Sequence, residues 1–122
     1  MNREIIFLYN IEREKEKQIR MLCRAFETEV KKIKPEQAKE SIGSLMGLEV
    51  NVEKTEDIIP DEEMMLICGF SGMKLEAFLE GYKLKEIDPI KLKAVVTEHN
   101  ILWSISYLYK ELKNETEWEE KA

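Results

Sequence analysis

The chain reads as an α/β protein: a three-layer α/β/α sandwich around a four-stranded parallel sheet of order 2-1-3-4, built from two tandem βαβα halves. Three observations predict this. Apolar runs of strand length alternate with longer amphipathic stretches, the pattern of βαβ units. The second half repeats the first: Ala38, Ile42, Leu45 and Met46 recur sixty-three positions later as Ile101, Ile105, Leu108 and Tyr109, and Ile19, Leu22, Cys23 and Phe26 recur fifty-six positions later as Leu75, Phe78, Leu79 and Tyr82. Two equivalent halves imply a rotation axis, expected parallel to the strands. Right-handed crossovers then give the order 2-1-3-4, with the most apolar strands central and the most charged at an edge.

Each element follows from its residues. Glu4–Asn10 is nearly all apolar, as suits a strand covered on both faces. Asn10 can cap a helix that runs to about Phe26 with Glu12 and Glu14 in its first turn. That helix buries Ile19, Leu22, Cys23 and Phe26 at helical spacing, while Glu12, Lys17, Arg20 and Arg24 form a solvated face. Thr28–Lys34 carries charge at every second or third position and fits an edge strand. Pro35 suits the first position of a helix ending near Gly47. Residues 49–62 form an acidic loop with Pro60, expected to be mobile, in which Val50-Asn51-Val52 is a short alternation. Met64–Phe70 is the second fully covered strand, Ser71 caps a helix to about Lys85, and Ile87-Asp88-Pro89 interrupts the pattern. Leu92–Thr97 is the fourth strand, and the last helix starts near Asn100 with Ile101, Ile105, Leu108, Tyr109 and Leu112 inward. The halves therefore span about 1–48 and 63–113 of a single domain, and 114–122 reads as an acidic, frayed tail.

Composition narrows the function. The 122 residues include 19 basic and 25 acidic ones, a net charge of −6, so the overall field repels a phosphate backbone and no nucleic-acid partner is expected. No apolar run approaches a membrane span, and the start of the chain has no signal-peptide architecture. Cys23 and Cys68 are too few for a disulfide framework and read as small buried hydrophobes in a reducing cytoplasm.

Lys93–Glu111 resembles the closing segment of an uncharacterised bacterial family, domain of unknown function 3783, through Lys93, Ala94, Val95, Thr97, Asn100 and Trp103. Gly69, Phe70 and Ser71 match a strand ending in G-F-S, and Ser41 to Leu48 match a S-I-G-x-L-x-G-L segment. Cys68, where Ser or another small residue is expected, and a shorter acidic loop depart from the pattern. The resemblance implies no activity, cofactor or substrate.

In a parallel 2-1-3-4 sheet, ligands sit where strand order reverses. That crevice would bring Asn10 together with Gly69, Ser71 and Gly72, so that two helix N-termini favour an anion. Gly-Phe-Ser-Gly nevertheless lacks the spacing of a phosphate loop. His99, the single histidine, has no partner to orient it, and it makes no zinc set with two separated cysteines. Thr97 and Asn100 suit a strand-to-helix turn. Trp103, Tyr107 and, if the helix continues, Trp118 line the outward face of the last helix. They either close the top of the sheet or form an interface.

The expectation is a small cytoplasmic binding or protein-interaction module, not an enzyme, with no catalytic residue, metal or cofactor and no membrane. Its partner is an unknown protein or a second copy in a weak homodimer through Trp103 and Tyr107. The alternatives are a small-anion or phosphorylated-metabolite sensor at the crevice and, more weakly, a thiol redox protein using Cys68.

Overall fold

The computed structural model describes the backbone of residues 3–121 and the side chains of residues 3–115. Its elements are β1 (Ile5–Tyr9), α1 (Arg13–Ala25), β2 (Glu29–Ile33), α2 (Ile42–Leu45), β3 (Met64–Cys68), α3 (Gly72–Leu84), β4 (Leu92–Val95) and α4 (Ile105–Lys121). The strand order is β2-β1-β3-β4, as expected. The sheet is mixed rather than purely parallel: β1–β2 and β3–β4 are parallel, but the central pair β1–β3 is antiparallel, with Ile5 opposite Cys68 and Tyr9 opposite Met64.

This corrects the direction of the axis. A two-fold along the strands would place equivalent helices on opposite faces. Instead α1 and α3 share one core cluster, in which Ile19, Leu22, Cys23, Phe78 and Tyr82 cover Ile6, Leu8, Met65 and Ile67. The other cluster joins Ile42 and Met46 with Ile105, Leu108 and Tyr109 against Ile5, Phe7, Tyr9, Met64, Leu66 and Cys68. The axis relating the halves therefore stands perpendicular to the sheet, between β1 and β3.

The repeat is exact in backbone bonding. Ile42 N–H donates to Trp103 O and Gly43 N–H to Ile101 O, while Ile105 N–H donates to Glu40 O and Ser106 N–H to Ala38 O. Each bond is the image of another under the sixty-three-residue shift, and Ser41 and Ser104 pair antiparallel where the halves meet. This bonding also explains why Pro35–Gly47 is not one helix. The carbonyls of Ala38 and Glu40 serve the other half, so the chain makes a 3-10 turn at Pro35–Gln37 and restarts at Ile42. Likewise α4 starts at Ile105, capped by Ser104, whose Oγ accepts Tyr107 N–H at 3.1 Å. At its other end α4 continues to Lys121, through the stretch expected to fray.

The shift between α1 and α3 is fifty-nine residues, not fifty-six: both helices have 13 residues, Ile19 and Cys23 correspond to Phe78 and Tyr82, and Glu27 and Glu86 end them at φ 52° and 55°. The four-residue increase, to sixty-three, falls between Glu86 and Leu92. On this alignment Lys15 matches Lys74, and Glu63 matches Glu4. Each lysine, in the first turn of its helix, reaches the glutamate just before the other half's central strand. Lys15 Nζ lies 2.6 Å from Glu63 and Lys74 Nζ 2.8 Å from Glu4, and each also donates to a carbonyl, of Pro89 and Phe26 respectively. A symmetric pair of ion bridges thus ties the halves together.

The acidic loop, expected to be mobile, is a strap held along its length. Glu53 N–H donates to Leu102 O and Ser104 N–H to Lys54 O. Ser106 Oγ donates to Glu56 O, Tyr9 Oη to Pro60 O at 2.6 Å, and Tyr109 Oη to Asp61. Val50-Asn51-Val52 forms no strand.

Candidate functional site

The antiparallel centre dismantles the expected anion crevice. Asn10 follows the end of β1 and Gly69 the end of β3, and in an antiparallel pair these lie at opposite ends of the two central strands. Asn10 therefore does not meet Gly69, Ser71 or Gly72. Each helix N-terminus is also served from within. The cap of α1 is Glu12, not Asn10: its carboxylate accepts Glu14 and Lys15 N–H at 3.0 Å, and these backbone bonds hold it below the ordinary glutamate range. Glu63 accepts Glu12 N–H beside it. Asn10 itself adopts φ 55° and donates to Asp61 O. It borders a hollow lined by Asp61, Glu62 and Glu63 together with Pro89 and Lys91, so carboxylates outnumber the one lysine there and disfavour an anion. Ser71 Oγ caps α3 through Lys74 N–H at 3.1 Å. Gly69 has φ +78°, and a Cβ there would lie 2.2 Å from Arg3 O, so glycine is required by the fold. Around Gly72 a Cβ would meet nothing.

Trp103 and Tyr107 do form an aromatic line, with ring centroids 5.0 Å apart and His99 5.5 Å from Trp103. Both are half-buried, Trp103 packing on the core cluster beside Leu45 and Ile101. Lys54 Nζ stands within 5.9 Å of both ring centres and Lys110 Nζ 5.2 Å from Tyr107. Trp118 lies outside the described side chains. Thr97 and Asn100 build the turn before α4 but do not cap it: Asn100 Oδ1 accepts Thr97 N–H, and Thr97 Oγ1 accepts His99 N–H. Cys68 and Cys23 are fully buried. Burial pushes the Cys68 thiol up to about 12, and pushes Cys23 to about 11 against the weaker pull of Arg20 and Lys74. Burial thus disfavours, at both, the thiolate that redox chemistry uses. Among the described residues no group of His, Cys, Asp and Glu could hold a metal ion, and none of their helices is long and apolar enough to cross a membrane.

What singles out one region is a difference between equivalent places. In the first half, Glu16 and Arg20 of α1 are bridged to the outer strand, beside a polar hollow of about 330 Å³ lined by Arg20, Arg24, Glu27, Thr28 and Val30: Arg20 Nε donates to Glu16 at 2.8 Å, and Lys32 of β2 reaches the same carboxylate at 3.4 Å. Burial alone would raise the Glu16 carboxyl, but these two cations outweigh it and hold the group low. The matching positions of the second half are Leu75, Leu79 and Val95. Here apolar residues replace the ion triplet, so no such bridge joins helix to strand. Leu75 and Leu79, expected inward, are only partly buried, and Val95 is 42% exposed. Beside them a groove of about 440 Å³ opens between α3 and β4, with Met65, Tyr82 and Ile87 at its base and Lys83 and Lys93 at its rim.

Sequence reasoning missed both this groove and the reciprocal lysines. Their signal was present: at a shift of fifty-nine, Lys15 falls on Lys74 and Glu4 on Glu63, while Arg20 falls on Leu79. A shift of fifty-six aligns the apolar stripes instead and hides all three.

Fold and site together define a small α/β domain with internal two-fold symmetry, one charged outer edge and one apolar outer edge. Residues 63–118 match the family described as Domain of unknown function (DUF3783), the family that the sequence resembles. The groove lies wholly inside the matched residues. No curated protein and no solved structure matches the chain.

Proposed function

We propose that this chain is a non-catalytic protein-interaction module whose binding face is the α3–β4 edge, in an α/β/α sandwich whose outer layers are the helices that pack onto the two core clusters. One observation carries the reading: the first half lines its outer hollow with charge and bridges helix to strand with the Glu16–Arg20–Lys32 ion triplet, whereas the second half carries Leu75, Leu79 and Val95 there, half-buried or exposed, and lines its groove with apolar residues. Apolar surface at an open strand edge is a liability in a free protein and an asset in one that binds. Two buried thiols with no disulfide support the cytoplasmic setting.

Panning a random-peptide library against the full chain tests the reading. Enriched peptides should lose binding to a Leu79→Arg variant, which places at the second edge the residue that the first already tolerates. Absence of any enriched peptide, or binding indifferent to Leu79→Arg, would refute the proposal. A second reading, weak self-association through Trp103 and Tyr107, is supported by the residual exposure of both rings. It calls for a salt-favoured rise in mass above 14.4 kDa in light scattering, lost in a Trp103→Ala, Tyr107→Ala variant.

A further inference from the structure

We infer that β4 accepts an extended acidic segment of a partner protein as an added strand, with an apolar side chain of that segment lodged between Leu79 and Val95. The inference rests on the interaction reading above and names its partner's chemistry.

Three features converge on one edge. The first is backbone. Val96 N–H donates inward to Ile67 O at 2.8 Å. Since alternate residues of a strand point to opposite sides, Lys93 and Val95 turn their peptide groups to the open edge. Asn100 Nδ2 donates to Val95 O at 3.2 Å and ends the usable stretch there. The N–H and C=O of Lys93 and the N–H of Val95 remain without a described partner, ready for the hydrogen bonds of an incoming strand.

The second is side-chain direction. Lys93 and Val95 lie opposite Met65 and Ile67 and so share the face that α3 covers, where Lys93 lines the groove with Leu79 and Val95 takes the position that Lys32 holds beside Arg20 in the first half. An added strand would therefore place one apolar side chain against Val95 and Leu79, and the side chain two residues away beside Lys93. The third is charge. Lys83 and Lys93 rim the groove, and no described carboxylate pairs with either, although the chain carries a net charge of −6. A carboxylate on the incoming segment completes the edge. A second copy of this chain does not: pairing β4 with β4 would bring two sets of Lys83 and Lys93 together.

The test uses a synthetic peptide with a leucine, a glutamate two residues away on either side, and threonine between. Binding to the full chain is followed by fluorescence anisotropy and by amide hydrogen exchange. The peptide should bind, slow the exchange of the Lys93 and Val95 amides, and weaken at least about tenfold when its glutamates become lysines or when salt rises. N-methylation of its edge-facing amides should abolish binding while leaving its side chains intact. Failure of the acidic peptide to bind, equal binding by the lysine peptide, or equal binding by the N-methylated peptide would each overturn the inference. If library-derived ligands still required Leu79 in that case, the interaction reading would survive and only the partner's chemistry would fall. A doubled mass in light scattering that Leu79→Arg abolishes would put a second copy in the groove and overturn the inference as well.

Discussion

The two outer edges of this sheet begin from the same backbone and end with opposite chemistry. At β2, helix and strand are joined by Glu16, Arg20 and Lys32; at β4, the same three places are apolar and half open. The central strands differ far less, since β1 and β3 are fully buried on both faces. Duplication of a βαβα unit therefore constrains the interior of this molecule and leaves the rims free to diverge. A rim closed by ion pairs gains little stability from them, because exposed pairs are weak. What it gains is charge along an edge strand, which discourages pairing with another chain and which the β4 rim lacks.

The sharpest way to break the comparison is at the turns that leave the central strands. Gly69 and Asn10 are equivalent and both left-handed, but only Gly69 has a carbonyl where a Cβ would go. Gly69→Ala should cost more than about 3 kcal/mol or prevent folding, whereas Asn10→Ala should cost about 1 kcal/mol. Urea melts of the two variants read the difference directly, and similar losses at both positions would remove the distinction.

Next come the reciprocal lysines. Lys15 is the more buried of the two, and its removal leaves Glu63 in a partly dry site. Lys15→Ala should lose about 2–3 kcal/mol and Lys74→Ala about 1 kcal/mol. The double variant, measured the same way, should show near-additive losses, since the bridges do not share a partner.

A smaller effect on stability, with a larger one on binding, is expected from exchanging the edges. Leu75→Glu, Leu79→Arg and Val95→Lys together install the first half's triplet in the second. Thermal or urea unfolding should shift by no more than about 1 kcal/mol, while capture of library peptides disappears. Stability retained together with peptide capture would mean that the open rim is not the binding face.

The smallest effect is a pH dependence confined to the first edge. The Glu16 carboxyl is held below its unfolded value, so its contribution to stability is full above the unfolded pKa and fades as pH falls through the folded one. An Arg20→Leu, Lys32→Val variant should lose this part of the acid sensitivity, because burial then acts alone and raises the carboxyl. Observation of the Glu16 resonance by NMR across the acid range checks the sign: low in the parent, at or above the ordinary glutamate value in the variant.

Much of the fold was legible in the residues. Near-continuous apolar runs at Ile5–Tyr9 and Met64–Cys68 mark central strands, because only full coverage tolerates them. The sixty-three-residue repeat, read from Ile42, Leu45, Ile105 and Leu108, corresponds to real backbone symmetry. The site was less legible. Grouping Asn10 with Gly69 and Ser71 rests on parallel neighbours, a premise about direction, on which apolar patterning is silent. Leu75 and Leu79 looked like core for the same reason that any helical stripe does. Their partial exposure depends on what α3 packs against.

Periodicity and apolar content specify strands, helices and their order, since each is a local response to burial on one face or two. They do not specify which end of the sheet a long connection returns to. Strand order 2-1-3-4 is compatible with a central pair running either way, and residues 49–63 are long enough to reach both ends. The choice is made by contacts remote in sequence: Tyr9 Oη on Pro60 O, Asn10 Nδ2 on Asp61 O and Lys15 on Glu63 deliver the chain to the carboxyl end of β1. From there β3 runs back antiparallel, α1 and α3 fall on one face with α4 on the other, and the two rims of the sheet become free to differ.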